Sequence, residues 1–301
     1  MSGQPDFSIN SLFSVKGKVA LVTGGGAGIG KMMAAALVQN GAKVYIASRK
    51  LQVVEETARE LTAVGPGQCI ALQADLQGRA QAEALAAQIA ARETKLHILI
   101  NNSGMSWGSP LENFDEKNGW DRLMALNVKA MFYMTAALMP LLRAGANGNA
   151  DPARVINIRL VPTPSRAREP SSVASVQTLS EGPLSGPDNG TWSYSASKAA
   201  VNQLSRTMAS TLSKQVHEPQ SDFISVNVIA PGVFPSRMTK YGIEKAGELM
   251  AADQPMGRIG IPEDLAGLTL FLSSRASSHL TGTVIPIDGG QSLGVSGLAR
   301  L

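Results

Sequence analysis

The 301-residue sequence predicts a single α/β domain, a doubly wound parallel sheet with helices on both faces. Three observations carry that reading. Strand-like and helix-like segments alternate from Lys18 to Ile287. The first strand, Lys18 to Thr23 (KVALVT), is a short valine-rich apolar run of the kind a buried parallel strand requires. A glycine cluster follows at once and opens a helical pattern. The domain is expected over residues 15–301, behind a loosely held arm at residues 1–14.

Composition narrows the function classes. The net charge is +4 with no clustered basic run, a poor electrostatic case for nucleic acid. The single cysteine, Cys69, falls in an apolar strand (Gln68 to Ala74) and reads as core; one cysteine excludes an intramolecular disulfide and fits a reducing compartment. No apolar N-terminal stretch resembles a signal peptide. The most apolar region, Met124 to Leu142, is interrupted by Asn127 and Lys129 and closed by Pro140, so it reads as a buried helix rather than a membrane span. Cytoplasmic residence is expected, with peroxisomal import as the alternative, because the last residues, Ala299-Arg300-Leu301, resemble a variant of the Ser-Lys-Leu address.

The glycine cluster is Gly24, Gly25, Gly26, Gly28 and Gly30, followed by a helical pattern from Ile29 to Asn40 and a stop at Gly41. Strand, glycine turn and helix together are the context of a Rossmann-like dinucleotide fingerprint. Glycine lets the backbone turn sharply and approach a pyrophosphate, and the helix N-terminus offers free N–H groups and a positive dipole end. The second strand, Lys43 to Ala47, ends in Ser48-Arg49-Lys50. No carboxylate stands there to repel a 2′-phosphate, and two cations can bind one, so NADP(H) is predicted.

A second motif is Tyr194-Ser-Ala-Ser-Lys198, at the start of a helical stretch from Ser195 to Ser213. Residues at i and i+4 share a helix face. A lysine charge beside a phenol favours phenolate, so the pair predicts a tyrosine of lowered pKa that exchanges a proton near neutral pH. In isolation such a pair is more often solvated helix surface; the glycine turn is what gives it weight.

These residues together resemble the short-chain dehydrogenase/reductase family, from about Val15 to Gln291. The resemblance rests on Thr23, Gly24, Gly28 and Gly30; on Asn101-Asn102-Ser103-Gly104, with serine where the family has alanine; on Asn127; on Tyr194 and Lys198; on Pro231-Gly232; and on Asp75-Leu76. Arg258-Ile-Gly-Ile-Pro-Glu-Asp264 and Asp288-Gly289-Gly290 resemble the family's C-terminal motifs. Within the family the chain looks most like NADPH-dependent 3-oxoacyl-type reductases. The resemblance implies hydride transfer between NADPH and a small-molecule carbonyl substrate, with Tyr194 as proton donor and no metal. It implies that Lys198 binds the nicotinamide ribose and that Asn127 holds a water linking Lys198 to solvent, although Asn127 in an apolar helix is equally readable as a satisfied core amide. It implies that Thr23, Ile29, Ser103, Pro231, Gly232 and Val233 help to hold the cofactor, and that the chain forms a homodimer or homotetramer.

The pattern breaks after the fifth strand, Arg154 to Ile158, where the family carries a serine that holds the substrate oxygen and this chain has Arg159 and Leu160. Residues 159–170 read as an insertion, after which Ser172 is the candidate for the serine position, with Ser171 and Ser175 as rivals. A second irregular stretch runs from Glu181 to Gly190. If the serine is misplaced, the alternative is a catalytically impaired NADP(H)-binding protein with a regulatory or partner role. Residues 234–254, with Met238, Tyr241, Ile243, Leu249 and Met250, are expected to form a flap suited to an apolar or acyl substrate.

Overall fold

A computed structural model describes residues 4–159, 190–213, 223–252 and 254–293. In chain order the elements are α1 (Ile9–Phe13), β1 (Val19–Thr23), α2 (Gly28–Gln39), β2 (Lys43–Ser48), α3 (Leu51–Val64), β3 (Gln68–Gln73), α4 (Arg79–Ala90) and β4 (Ile98–Asn101). A long helical run, Glu116–Ala137, includes α5 (Arg122–Met124) and α6 (Ala130–Ala137), with π-wound turns at Glu116–Asp121 and Ala125–Lys129. Then come α7 (Met139–Gly145), β5 (Ala153–Ile158), α8 (Trp192–Leu212), β6 (Ile224–Pro231), α9 (Lys240–Ala252), α10 (Pro262–Ser273) and β7 (Val284–Ile287).

The strands form one parallel sheet in the order β3-β2-β1-β4-β5-β6-β7. The chain winds outward from β1 to β3, then crosses back so that β4 lies on the other side of β1. This reversal opens a crevice at the carboxyl ends of β1 and β4, where open α/β sheets bind ligands. Alternation along each strand builds two apolar layers. Val19 and Leu21 of β1 face a layer with Leu85, Met134 and Val201 from α4, α6 and α8. Ala20 and Val22 face the other, with Met33, Leu37, Val54 and Leu265 from α2, α3 and α10. Each fully buried Leu, Ile or Met contributes roughly 1.5–3 kcal/mol.

Buried polar groups tie the site-bearing elements to this core. Asn101 Nδ2 donates to Asn157 Oδ1 (2.9 Å) across β4 and β5, and Asn157 Nδ2 donates to Ser205 Oγ on α8 (2.9 Å). Each lost bond would strand a buried partner, so α8 is held in register under β5. Cys69 is buried in β3, and burial pushes its thiol up to about 12, consistent with a packing residue.

Several expectations change in detail. The arm carries a short helix, α1, capped by the Ser8 hydroxyl and set against α10, with the Phe13 and Phe271 rings 6.4 Å apart. No single helix among the described residues is long and apolar enough to cross a membrane. Glu116–Ala137 and Met139–Gly145 pass only jointly, bent by 58°, and their Met131, Met134 and Leu142 pack in the core. Leu160 to Pro170, Ser171, Ser172, Ser175, residues 181–189 and Ala299 to Leu301 lie outside the described residues.

Candidate active site

A cavity of about 290 Å³ runs along the carboxyl edge of the sheet. Its lining follows the strand order: Asp75 and Leu76 after β3, Ser48 and Arg49 at the end of β2, Gly24, Gly28, Ile29 and Gly30 after β1, and Asn102, Ser103 and Gly104 after β4. It continues with Ile158 of β5, Gly232 after β6, and Tyr194 and Lys198 of α8.

The glycine turn is shaped by contacts that leave no room for side chains. Gly24 and Gly28 have φ of +67° and +52°, left-handed values that favour glycine. A Cβ on Gly30 would come within 2.4 Å of both Asn102 Nδ2 and the Gly24 carbonyl. Asn102 Nδ2 donates to the Thr23 and Gly24 carbonyls (3.0 and 3.2 Å), and Thr23 Oγ1 accepts from the N–H groups of Asn102 and Ser103 (3.0 and 3.1 Å). These bonds bolt the turn after β1 to the turn after β4. Thr23 is therefore a support behind the wall rather than part of it. No side chain caps the N-terminus of α2 at Ala27, and its first turn holds no acidic residue. The N–H groups of that turn remain available to an anion.

At the other end, Tyr194 is 2% exposed and Lys198 7% exposed. The Lys198 ammonium lies 5.1 Å from the Tyr194 ring centroid. The two do converge, but the expected lowering of the phenol does not hold in this ligand-free geometry. Burial pushes the Tyr194 phenol above its ordinary range, because phenolate here would lose its water, and the opposing cation is Arg159. Lys198 is itself lowered to about 8, first by burial and then by the Arg159 charge. Tyr194 Oη has no hydrogen-bond partner among the described residues.

Asn127 sits in the π-wound turn Ala125–Lys129, beside rather than within the main cavity wall. Its Nδ2 donates to the Met105 carbonyl (2.9 Å) and to Ser197 Oγ (3.1 Å), and its Oδ1 accepts from the Met105 N–H (2.9 Å). Both amide N–H groups are thus used in pinning the loop after β4 to α8. A Cβ on Gly104 would lie 3.2 Å from Asn127 Oδ1 and 3.9 Å from Lys198 Nζ, so a side chain there would crowd both.

Lys50, Pro231 and Val233 also fall outside the wall. Lys50 is exposed at the start of α3, which leaves Arg49 as the cation at the end of β2. Of the expected flap, Met238 lines the cavity; Tyr241 and Leu249 face solvent and Met250 is buried. The start of the flap instead covers the glycine turn. Ser236, Arg237 and Thr239 line the cavity, and Ser236 Cβ is 3.0 Å from where a Cβ on Gly28 would stand. That approach depends on how β6 ends over β1, which local pattern does not encode. Arg159 occupies the position after β5 where the resemblance implies serine, its N–H donating to the Ile229 carbonyl (2.9 Å).

Comparison with known proteins agrees with this geometry. Residues 18–159 match the family model described as short chain dehydrogenase, and residues 164–292 the one described as Enoyl-(Acyl carrier protein) reductase. The rhamnolipids biosynthesis 3-oxoacyl-[acyl-carrier-protein] reductase of Pseudomonas aeruginosa is 42% identical over 280 residues, covering 92% of this chain and 97% of that protein. The 2-dehydro-3-deoxy-D-gluconate 5-dehydrogenase of Escherichia coli is 35% identical over 288 residues, covering 94% and 98%. The solved Pseudomonas aeruginosa RhlG/NADP active-site complex superposes with a TM-score of 0.78 at 41% identity, covering 93% of this chain and 98% of that one. A shared fold, a glycine turn and a Tyr–Lys pair converging on one cavity, and two relatives this similar along nearly their whole length make the chain a member of the short-chain dehydrogenase/reductase family.

Proposed function

We infer that this oxidoreductase reduces a ketone at the expense of NADPH. The observation that carries the reading is that Tyr194 and Lys198 line the same cavity as the uncapped turn of α2. The residues fit the cofactor. The N–H groups at the start of α2 suit a pyrophosphate, Ser48 and Arg49 suit a 2′-phosphate, and Asp75 and Leu76 suit an adenine. The relative crystallised with NADP supports the same choice. When bound, NADPH supplies the hydride.

The chain's own residues do the rest. Tyr194 Oη, protonated at neutral pH and without a partner among the described residues, donates its proton to the carbonyl oxygen as negative charge builds there. Lys198 holds a positive charge beside the phenol, offsetting the phenolate left after transfer. Asn127 keeps Met105 and Ser197 in place, fixing the loop after β4 against α8. The impaired alternative has no support, since both members of the Tyr–Lys pair are buried at the cavity. Ser172 is proposed as an added hydrogen-bond donor to the oxygen; Ser172→Ala should cut turnover strongly, and a fully active variant would remove it from the mechanism.

The similar proteins bear on substrate class in two directions, one named for a 3-oxoacyl carrier thioester and one for a sugar acid. The test of the reaction is NADPH oxidation against a panel of ketones, with and without Tyr194→Phe. NADPH binding without oxidation of any ketone would sink the reading. We propose one domain over residues 15–301 that assembles as a homodimer or homotetramer. Exposed Trp120 and Phe132 on the central helical run and Trp192 at the start of α8 support such a contact. Light scattering of the purified protein checks it. Residence in the cytoplasm, or in peroxisomes through Ala299-Arg300-Leu301, is read by a reporter fused ahead of that tail.

A further inference from the structure

The residue after β5, next to the cavity-lining Ile158, is the most unusual feature near the site. By strand alternation, Ile156 and Ile158 enter the apolar layer of α2 and α10, while Val155 enters the layer of α8. Asn157 bonds Ser205 of α8. Arg159 continues the ladder through its bond to Ile229 and so leaves the strand on the α8 side. It stands two residues beyond Asn157, about 6.6 Å further along the strand. As the crossover between parallel β5 and β6, α8 runs back against the strand direction, so that step leads from Ser205 toward Lys198 and Tyr194.

The surroundings of this guanidinium are consistent with that placement. After burial, its charge is the second influence on both the Tyr194 phenol and the Lys198 ammonium, lowering each. Its Nε–H is buried without a partner among the described residues, as is Tyr194 Oη. No acidic group acts on Tyr194 or Lys198 among the described residues. Two cations and a phenol without a partner among the described residues thus lie where β5 ends against α8, next to Ile158, Tyr194 and Lys198 of the cavity wall. Buried charge without a counter-charge is costly, and orphaned buried donors in a native fold point to an absent partner.

We propose that Arg159 receives an ionised carboxylate carried close to the reacting ketone, so that the substrate is a free oxo acid rather than its neutral ester or thioester. The proposal rests on the ketone-reductase reading above and specifies its substrate class. The division of labour follows from hydrogen-bond inventory. Tyr194 has one proton to give, and it goes to the ketone oxygen. The planar guanidinium fork matches the two oxygens of a carboxylate, a pairing that a lone ketone oxygen cannot fill. Holding the acid end in this way would orient the carbonyl against the phenol.

The test uses the full-length protein loaded with NADPH and two probes that differ chiefly in charge, acetoacetate and methyl acetoacetate. For the unmodified protein, kcat/KM should favour the acid by at least tenfold, the lower end expected of a charge-assisted hydrogen bond. Arg159→Met should bring the acid-to-ester ratio down by roughly 10–100-fold, and Arg159→Lys by less, since it keeps the charge and loses the fork. Thermal unfolding of the NADPH-loaded protein reads binding without turnover. Acetoacetate should raise Tm in the unmodified protein and not in Arg159→Met, and methyl acetoacetate should leave both unshifted. Equal handling of acid and ester, an unchanged ratio in Arg159→Met, or no Tm shift with acetoacetate overturns the proposal. So does loss of NADPH affinity in Arg159→Met, which would put the guanidinium on the cofactor instead. Failure of the unmodified protein to bind NADPH is a distinct outcome and removes the ketone-reductase reading itself.

Discussion

The two edges of the sheet carry similar charges and use them in opposite ways. At the amino edge, Lys18 and Arg154 both pair with Asp151 (2.7 and 2.8 Å), and Arg154 Nη2 donates to the Ser274 carbonyl (2.7 Å). His97 Nδ1 accepts from the Val19 N–H (3.0 Å), and burial holds its pKa down, in keeping with that acceptor role. Arg154 is 1% exposed, yet only its Nε lacks a partner. At the carboxyl edge, Lys198 lines the cavity with Tyr194, Arg159 follows the cavity-lining Ile158, and no carboxylate acts on the Tyr–Lys pair among the described residues. Buried charge that meets an opposite charge serves the fold. Groups at both edges are perturbed, but buried charge left without a counter-group is a cost that a ligand can relieve.

Removing one group from each edge is the sharpest way to break this contrast. Tyr194→Phe should lower kcat by about 10²–10⁴-fold, the scale of a positioned proton donor, with NADPH affinity unchanged by fluorescence titration. Turnover within a few-fold of the unmodified protein would mean that the phenol is not the donor. Arg154→Met leaves Asp151 and the Ser274 carbonyl short of a partner and should destabilise the fold by roughly 3–5 kcal/mol in urea titrations, with the activity of the folded fraction retained. A neutral result would show that the amino-edge cluster is not a staple.

Lys198 sharpens the contrast, because there the two edges predict opposite signs. Its fall from 10.5 to about 8 corresponds to roughly 3 kcal/mol of folding free energy at neutral pH. Lys198→Met should therefore stabilise the ligand-free protein by up to about that amount while abolishing reduction. The pH dependence has the same origin. Between about 8 and 10.5 the unfolded chain binds the Lys198 proton more tightly than the native one, so this group makes stability rise with pH across that window. The proposed mechanism uses the charged form, so kcat/KM should fall as pH rises through about 8. Lys198→Met should flatten its part of the stability slope; an unchanged slope would reject the assignment. The smallest effect is expected at the cofactor end, where Arg49→Asp should weaken NADPH relative to NADH by roughly 10–100-fold in paired binding titrations. Unchanged NADPH affinity would remove Arg49 from the 2′-phosphate site.

How much of the site was legible beforehand differs residue by residue. Gly24, Gly28 and Gly30 were readable because positive φ at Gly24 and Gly28 and the 2.4 Å approach of Gly30 to the Gly24 carbonyl exclude other residues, and those constraints are local in sequence. Tyr194 and Lys198 were readable because four residues make one turn of helix. The function of Thr23 and Asn102 was not readable. They lie where the motif places them, but their side chains bond one another's loops across 79 positions of chain. In sequence Arg159 reads as the first residue of an insertion. Nothing in its neighbours in sequence states that its charge acts on Tyr194, 35 positions on. Ser236 and Arg237 were missed for the same reason, since only the closeness of β6's end to Gly28 brings them over the glycine turn.

The sequence by itself determined the layered α/β architecture, the glycine turn and the helical Tyr–Lys pair, because each follows from period, turn chemistry or spacing within a few residues. The tertiary structure decided which charges are paired and which are left open, and with them the direction of the Tyr194 shift. Desolvation and Coulomb energy depend on what surrounds a group in space, and those neighbours arrive from distant strands only once the sheet has closed its order.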